Sequence, residues 1–402
     1  MKNILIAIRS IFKKGRHNVM KIVSLGIGLA VGLVLIAKVY FEQSYDDFYP
    51  DRDRVYQVWA KYQQNGGELK DYPQTSGGIA PTMQQQIPEI ETVTRYTSFG
   101  DWTFTMTDTK MKYSGRCIIA DSCFFDILPR PMLIGNAKEV LSTPMYVLIS
   151  SRIAKNIGGD VIGKNFTVDN SPGRTMTIGG VFEEVPENSH SRYDVIVSMA
   201  SAGRFMWEGS PTNMLGNDRY ISYVKLHKGV NPLALEEQVR TFVNSYFPPE
   251  EQQKVGLSID FSFHKLDNLH KELPQVKRMT WILSLLAFAL IFTAVMNYIL
   301  IVISSIVNRS KEVAVHKCYG ASENNIHGMM FGEALVHIVL SLILALLLIL
   351  AFRGTVEELL ATSLDSLLLS NGSLVLLGIC ILVFFVSGFM PGSLYARIPV
   401  AS

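Results

Sequence analysis

The sequence predicts an α-helical membrane protein with four transmembrane helices and a large mixed α+β extracytoplasmic domain between the first and second helices. Three observations predict it. Four apolar windows are long enough to cross a bilayer, the lysines and arginines near their ends orient them consistently, and strand and helix patterns interleave in the long stretch between the first two windows.

A membrane-spanning helix needs roughly 20 largely apolar residues. Residues 22–41, 280–307, 328–352 and 373–394 qualify, and 281–307 and 338–352 contain no Asp, Glu, Lys, Arg or His. A buried helix of a soluble protein is rarely so long or so uniformly apolar. The first window follows a basic stretch, as a cleaved signal peptide would. Its apolar run is too long for one, however, and ends in Lys38-Val-Tyr-Phe-Glu42 rather than in small residues, so it reads as an uncleaved anchor.

Orientation follows from charge. Residues 1–21 carry Lys2, Arg9, Lys13, Lys14, Arg16 and Lys21 and no acid, which suits an anionic cytoplasmic leaflet and its lipids. With the N-terminus inside, the loop 308–327 with Arg309, Lys311 and Lys317 is inside, as is the tail 395–402 with Arg397. The loop 353–372, holding Glu357, Glu358 and Asp365 against one arginine, is outside, and so is the stretch 42–279. The expected location is the inner (cytoplasmic) membrane, with both termini cytoplasmic. A net charge of +2 gives no global field of the kind that nucleic-acid binding uses.

Polar residues inside the windows read mainly as structural. Lys38 lies near the outer end of its helix and is expected to snorkel to the interface. Glu333 and His337, one turn apart, read as a helix-packing pair, and Asn297 as a hydrogen bond between helices. Gly28 with Gly32, and Gly388 with Gly392, have the small-xxx-small spacing that lets helices approach closely, a weak pointer to a dimer.

Within 42–279, the β-branched and aromatic runs Val55-Tyr-Gln-Val-Trp59, Tyr146-Val-Leu-Ile149, Thr175-Met-Thr-Ile-Gly-Gly-Val181 and Tyr220-Ile-Ser-Tyr-Val-Lys-Leu226 predict strands. Residues 80–86, 150–156 and 232–246 predict helices, the last with Leu233, Leu235, Val239 and Val243 at helical spacing. Asn65-Gly-Gly67 and Ser171-Pro-Gly173 predict turns. The run Gly158-Gly-Asp-Val-Ile-Gly-Lys-Asn165 nearly matches a phosphate-cradling loop, but Asn165 replaces the hydroxyl residue. It also follows a helix and precedes a strand, the reverse of the context that aims N–H groups at phosphate. It reads as a turn. Zincin, nucleophile-elbow and cysteine–histidine ligand patterns are absent, so no catalytic, cofactor or metal residues are assigned and no cofactor is expected. Cys117 and Cys123 read as unpaired small hydrophobes, with a disulfide as the less favoured alternative.

Three stretches resemble the family of ABC-transporter permeases that includes MacB and FtsX. One is Ile8-Arg-Ser-Ile-Phe-Lys-Lys-Gly15 with Ser24-Leu-Gly-Ile-Gly-Leu29 and Phe41-Glu-Gln-Ser-Tyr-Asp-Asp-Phe-Tyr-Pro50. Another is Ile162-Gly-Lys-Asn165 with Gly180-Val-Phe-Glu-Glu-Val-Pro-Glu-Asn-Ser-His190, similar to the family's periplasmic core domain. The third is Asn308-Arg-Ser-Lys-Glu-Val-Ala-Val-His-Lys-Cys-Tyr-Gly-Ala-Ser322, similar to its cytoplasmic loop. The resemblance implies a non-catalytic permease subunit whose loop docks onto a separate cytoplasmic ABC ATPase. The ATPase-coupling residues would be Glu312, Val313, Val315, Lys317, Gly320, Ala321 and Ser322: valines as apolar anchors, Glu312 and Lys317 at the charged rim, Gly320 at a sharp turn. His316 and Cys318-Tyr319 depart from the family's usual residues, so the partner's groove is expected to differ there. The resemblance also implies a homodimer or a pairing with a related permease, room for a periplasmic adaptor, and mechanotransmission in place of a pore. The alternative is a signalling or regulatory membrane protein that controls an extracytoplasmic partner without moving cargo. Related chains are sometimes twice as long, so the sequence reads as a half-size subunit or as part of a double-length one.

Overall fold

Tyr45–Lys271 forms one unit of the computed structural model, and the segments on either side of it form the other. The structure describes residues 18–169, 171–304, 323–368, 372, 375–376 and 378–383.

In the Tyr45–Lys271 unit the sequence alternation becomes an 11-stranded sheet. Its strands are β1 (Val55–Gln64), β2 (Lys70–Tyr72), β3 (Ile90–Met106), β4 (Lys112–Ala120), β5 (Met132–Ile134), β6 (Tyr146–Ser150), β7 (Asn165–Val168), β8 (Ser171–Phe182), β9 (Val195–Ser198), β10 (Ile221–Leu226) and β11 (Leu257–Lys265). The order is β11-β1-β10-β3-β4-β9-β6-β8-β5, with β2 on β1 and β7 bridging β3 and β8. The pairings β3–β4–β9–β6–β8–β7 therefore return to β3 and close a ring. Closure leaves those strands without open edges. Their inward residues, among them Phe104, Phe166, Met176 and Val197, form a continuous core.

The long β3 serves both halves of the unit. Its first part pairs with β10, and from Tyr96 onward it pairs with β4. The register shifts between Ser98 and Gly100, where Gly100 takes a φ of 75°. A bulge of this kind bends a strand, and a glycine accepts the left-handed backbone without a Cβ penalty. On the other half, β1, β3, β10 and β11 carry a face covered by the helices Ile79–Gln86 and Glu236–Tyr246. Val239, Phe242 and Val243 are buried there, each worth up to about 1.5–3 kcal/mol of apolar transfer. The expected helical stripe is broken at its start. Pro232–Leu235 is a 3₁₀ turn, so Leu235 is buried while Leu233 is 72% exposed.

Asn65 and Gly66 are both left-handed and turn β1 toward β2, as an Asn-Gly pair should. The Gly158–Asn165 run is a turn between the helix Ser151–Ile157 and β7. The Thr177 hydroxyl donates to the Asn165 side chain at 2.8 Å. Cys117 and Cys123 are free thiols.

The other unit contains three helices long and apolar enough to cross a membrane: Asn18–Gln43, Pro274–Ile303 and Ala334–Ala351. The last is the later part of a helix spanning Glu323–Ala351. Large side chains such as Trp281, Leu285, Phe288 and Leu347 stay exposed on them, where a soluble bundle would present polar residues. The expected fourth window, 373–394, is described only in small part, so three helices of this kind are counted among the described residues. Gly388 and Gly392 lie outside them.

The first helix touches both others closely because it carries glycine where they approach. A Cβ at Gly28 would lie 2.2 Å from the Ala294 Cβ, one at Gly32 would lie 2.4 Å from Ile291, and one at Gly26 would lie 2.9 Å from Leu344. The Gly28/Gly32 spacing therefore serves packing within the chain. Asn297 donates to Ser24 at 2.6 Å, the expected bond between helices. The His337 ring lies 3.4 Å from the Tyr298 hydroxyl, and the Glu333 side chain is outside the described residues. Lys38 departs from expectation. It is 6% exposed, donates to Thr362 at 2.7 Å and pairs with Glu42 at 2.6 Å, so a neighbour one turn on replaces the snorkelling contact with the interface.

Candidate functional site where the chain enters and leaves the sheet domain

The first helix ends at Gln43, and the domain begins two residues later. Asp46 takes a left-handed φ of 57°, a conformation that a short polar side chain tolerates better than most. Its backbone N–H donates to the Asn188 carbonyl at 2.9 Å. The side chain is fully buried, and one carboxylate oxygen accepts from the Ser189 hydroxyl at 2.7 Å and from the His190 backbone N–H at 3.2 Å. The other carboxylate oxygen pairs with Nδ1 of His190. Hydrogen bonds to an ionised acceptor are the strong ones, so this residue fixes the entering chain onto the 188–191 loop. Tyr49 adds a second bond, from its hydroxyl to Ser191.

The departing chain is held at the same place. The Tyr45 ring stacks on His270, with centroids 3.6 Å apart and planes 10° from parallel, and meets His190 edge-on at 5.0 Å. Lys271 reaches Asp47 at 3.4 Å. Tyr45, Asp46 and Asp47 thus clamp the loop 188–191 and the exit residues 270–271 into one cluster.

Behind the clamp stand four buried tyrosines, Tyr49, Tyr96, Tyr193 and Tyr223. Burial pushes the phenols of all four upward. For Tyr49 the nearby Arg130 charge opposes that shift and Asp46 adds to it. All four remain neutral at physiological pH.

A serine, a histidine and an aspartate in contact invite comparison with a nucleophilic triad. The arrangement is wrong for one. Ser189 and Ser191 hydrogen-bond Asp46, Tyr49 and each other rather than the His190 ring, so no base faces a nucleophile. Among the described residues no group of three or more His, Cys, Asp or Glu residues could hold a metal ion. The arrangement ties the entering segment to the 188–191 loop, and its serines and histidine do not form a nucleophile–base pair.

The residues expected to couple to an ATPase, Glu312, Val313, Val315, Lys317, Gly320, Ala321 and Ser322, lie outside the described residues. The clamp was not a sequence expectation. Tyr45 to Asp47 and most of the 188–191 loop stand in quoted motifs, Phe41 to Pro50 and Gly180 to His190, while His270 and Lys271 stand in none, and nothing local says that the parts touch across more than 140 residues.

A sheet domain inserted between long apolar helices defines a membrane protein with an extracellular-type domain. Comparison with known proteins gives its class. A profile for the MacB-like periplasmic core domain matches residues 20–242, and one for the FtsX-like permease C-terminal region matches residues 284–400. The chain belongs to the MacB-like periplasmic core domain family, here combined with an FtsX-like permease region. It is an ABC-type permease of the MacB/FtsX kind, a class that in general works with an ATPase and contributes a non-enzymatic transporter component.

Among solved structures, a domain assigned to a permease protein of Porphyromonas gingivalis is 33% identical, with a TM-score of 0.50. The match covers 54% of this chain and 91% of that one. The extracellular domain of the noncanonic ABC-type transporter YknZ from Gram-positive bacteria is 11% identical with a TM-score of 0.35, covering 51% of this chain and 98% of that one. No curated protein matches the sequence significantly.

Proposed function

We propose that this chain is the permease subunit of an ABC transporter in the inner membrane, coupling a separate cytoplasmic ATPase to its sheet domain by mechanotransmission to export or extract a substrate. The clamp is the observation that carries this reading. Helix motions would enter the sheet domain along two chain segments, 43–46 and 270–274. Stacking Tyr45 on His270 and pairing Asp47 with Lys271 ties those segments together, so relative displacement of the helices acts on the domain at one stiff point.

On this reading both termini are cytoplasmic, and the loop containing Glu312, Val313, Val315, Lys317, Gly320, Ala321 and Ser322 docks in a groove of the ATPase. ATP-driven closure of that enzyme pushes the loop, and two copies of the chain, or this chain and a related permease, flank the ATPase dimer. A periplasmic adaptor would receive the substrate. The closed ring of strands gives the domain the rigidity that a transmitted displacement requires.

Co-purification from native membranes in mild detergent tests the proposal. The expected result is recovery of an ABC ATPase with the wild-type chain and its loss with Glu312→Lys/Lys317→Glu. Tyr45→Ala should retain the ATPase but uncouple its activity from transport. An ATPase that stays bound and fully coupled in all variants would overturn both the docking and the clamp assignments.

A further inference from the structure

The Tyr45–Lys271 unit holds a cavity of about 370 Å³ lined by four arginines, Arg116, Arg130, Arg152 and Arg192. Three acids share the wall, Asp101, Glu184 and Asp194. Two of them are engaged. Arg152 bridges Glu184 at 3.1 Å and Asp194 at 2.5 Å. Asp194 also accepts from the Arg116 backbone N–H at 2.9 Å and from the Ser150 hydroxyl at 3.3 Å. Against the remaining Asp101 stand three arginines whose side chains have no acidic partner among the described residues. Two of these, Arg116 and Arg192, are exposed and free to reorient.

Arg130 is the third, and it is unlike the others. It is 6% exposed, and Nε and both Nη atoms are buried without a well-formed hydrogen bond, the neutral Tyr49 hydroxyl being a nearby acceptor that carries no charge. Pro129 and Pro131 flank it and restrict its backbone. Rings surround its guanidinium: Phe182 at 5.1 Å, Phe125 at 5.8 Å and Tyr193 at 5.9 Å from ring centre to guanidinium carbon. Ring faces attract a cation but supply neither an acceptor nor a counter-charge. The phenols of Tyr49, Tyr96 and Tyr193, which also act on it, are pushed up by burial and stay neutral. A buried guanidinium without an anion is a standing cost to the fold, because a guanidinium does not neutralise itself by losing its proton.

We propose that this cavity binds an anionic group, a carboxylate or a phosphate borne by a small solute, which supplies the counter-charge that Arg130 lacks. Arg116 and Arg192 make the direct hydrogen bonds, since the planar fork of arginine matches both oxyanions. Arg130, beside the Tyr193 ring in the cavity wall, acts as a fixed positive charge where burial leaves its field poorly screened. The volume lies at the lower end of the range for small-molecule sites, which favours a solute over a polymer segment. The site does not depend on the transporter reading above.

The test uses the full chain purified in non-ionic detergent, with thermal unfolding and calorimetric titration against sodium phosphate and sodium succinate. Glucose, and sodium chloride at matched ionic strength, serve as controls. The expected result is a saturable rise in Tm with at least one of the two anions and none with the controls, and the responding probe assigns the class of oxyanion. Arg116→Ala/Arg192→Ala, two surface changes, should weaken that response at least about tenfold. Arg130→Met should also lose it, while its Tm without added anion stays equal to or above that of the wild type. The proposal is overturned if neither anion binds, or if the double variant binds as the wild type does. A folded Arg130→Met that binds normally, or one whose Tm falls, overturns the assigned part of Arg130.

Discussion

Replacing Asp46 by alanine should cost the sheet domain more stability than any single apolar truncation in the clamp. Three donors lose their acceptor at once: the Ser189 hydroxyl, the His190 backbone N–H and the His190 ring. A buried donor left without its acceptor costs about 1–3 kcal/mol, so the Ser189 hydroxyl and the His190 N–H, with a smaller share from the part-exposed ring, lose about 3–5 kcal/mol together. Alanine is also strained at the left-handed φ of 57° that Asp46 adopts. For a domain of this length each kcal/mol lowers Tm by about 2–4 °C, so a fall of roughly 6–20 °C is expected. Intrinsic fluorescence of the full chain reads it well, since Trp59, Trp102 and Trp207 of the four tryptophans lie in this domain. Asp46→Asn keeps the backbone preference and one acceptor, so its loss should be smaller. A fall of less than about 3 °C for alanine, or equal falls for alanine and asparagine, would refute the reasoning that the carboxylate holds this loop.

Three further changes test other parts of the structure. Gly28→Val should abolish a monodisperse peak in fluorescence-detected size exclusion, because its Cβ would lie 2.2 Å from that of Ala294, whereas Gly378→Ala, with open space around it, should be silent. Lys38→Met removes the cation paired with buried Glu42 at 2.6 Å and should cost about 3–5 kcal/mol, while Lys38→Met/Glu42→Met should recover part of that; a double variant as unstable as the single one would contradict the pairing. Asp51 is held below the usual carboxylate range, first by its hydrogen bond with Lys225 and then by the one with Arg54. A depressed folded pKa gives stability that is present above the unfolded pKa and lost as pH falls through the folded one. Asp51→Asn should therefore lower Tm at pH 6, and the gap to wild type should begin to narrow below about pH 4 and shrink further as the pH falls through the depressed folded value. A gap that stays constant as the pH is lowered from 6 to 2 would count against the ion pair.

What the sequence revealed follows the range of the physics involved. Runs of β-branched and aromatic residues made β1, β6, β8 and β10 legible, and the glycine spacing at Gly28 and Gly32 pointed to a close helix approach that exists within the chain. The strand β3 was not legible, because Gly100 and Asp101 interrupt its alternation where a bulge bends it between two sets of partners. Closure of the strand ring depends on β7, only four residues long, finding both β3 and β8, and no local pattern encodes that. Lys38 was misread for the opposite reason. Its position near the helix end suggested water, although Glu42 stood one turn away in plain sight and only Thr362 had to come from elsewhere.

The clamp lies between these cases, and its composition explains why motif reading found its parts but not their purpose. Asp46 stands at a left-handed position, which favours aspartate or asparagine over most residues whether or not the side chain is used. Ser189 and Ser191 lie in an irregular loop, where serine is common for reasons of turn chemistry. Each choice has a local explanation that conceals the long-range one. The long-range one appears only when burial is counted. Asp46 is fully enclosed, and an enclosed carboxylate needs donors, which the 188–191 loop provides. A charge buried immediately after an apolar helix, and satisfied by a loop distant in sequence, fixes the chain's direction where it enters the domain. A surface hydrogen bond would cost little to break and would let the entering segment swing, whereas the buried one holds it.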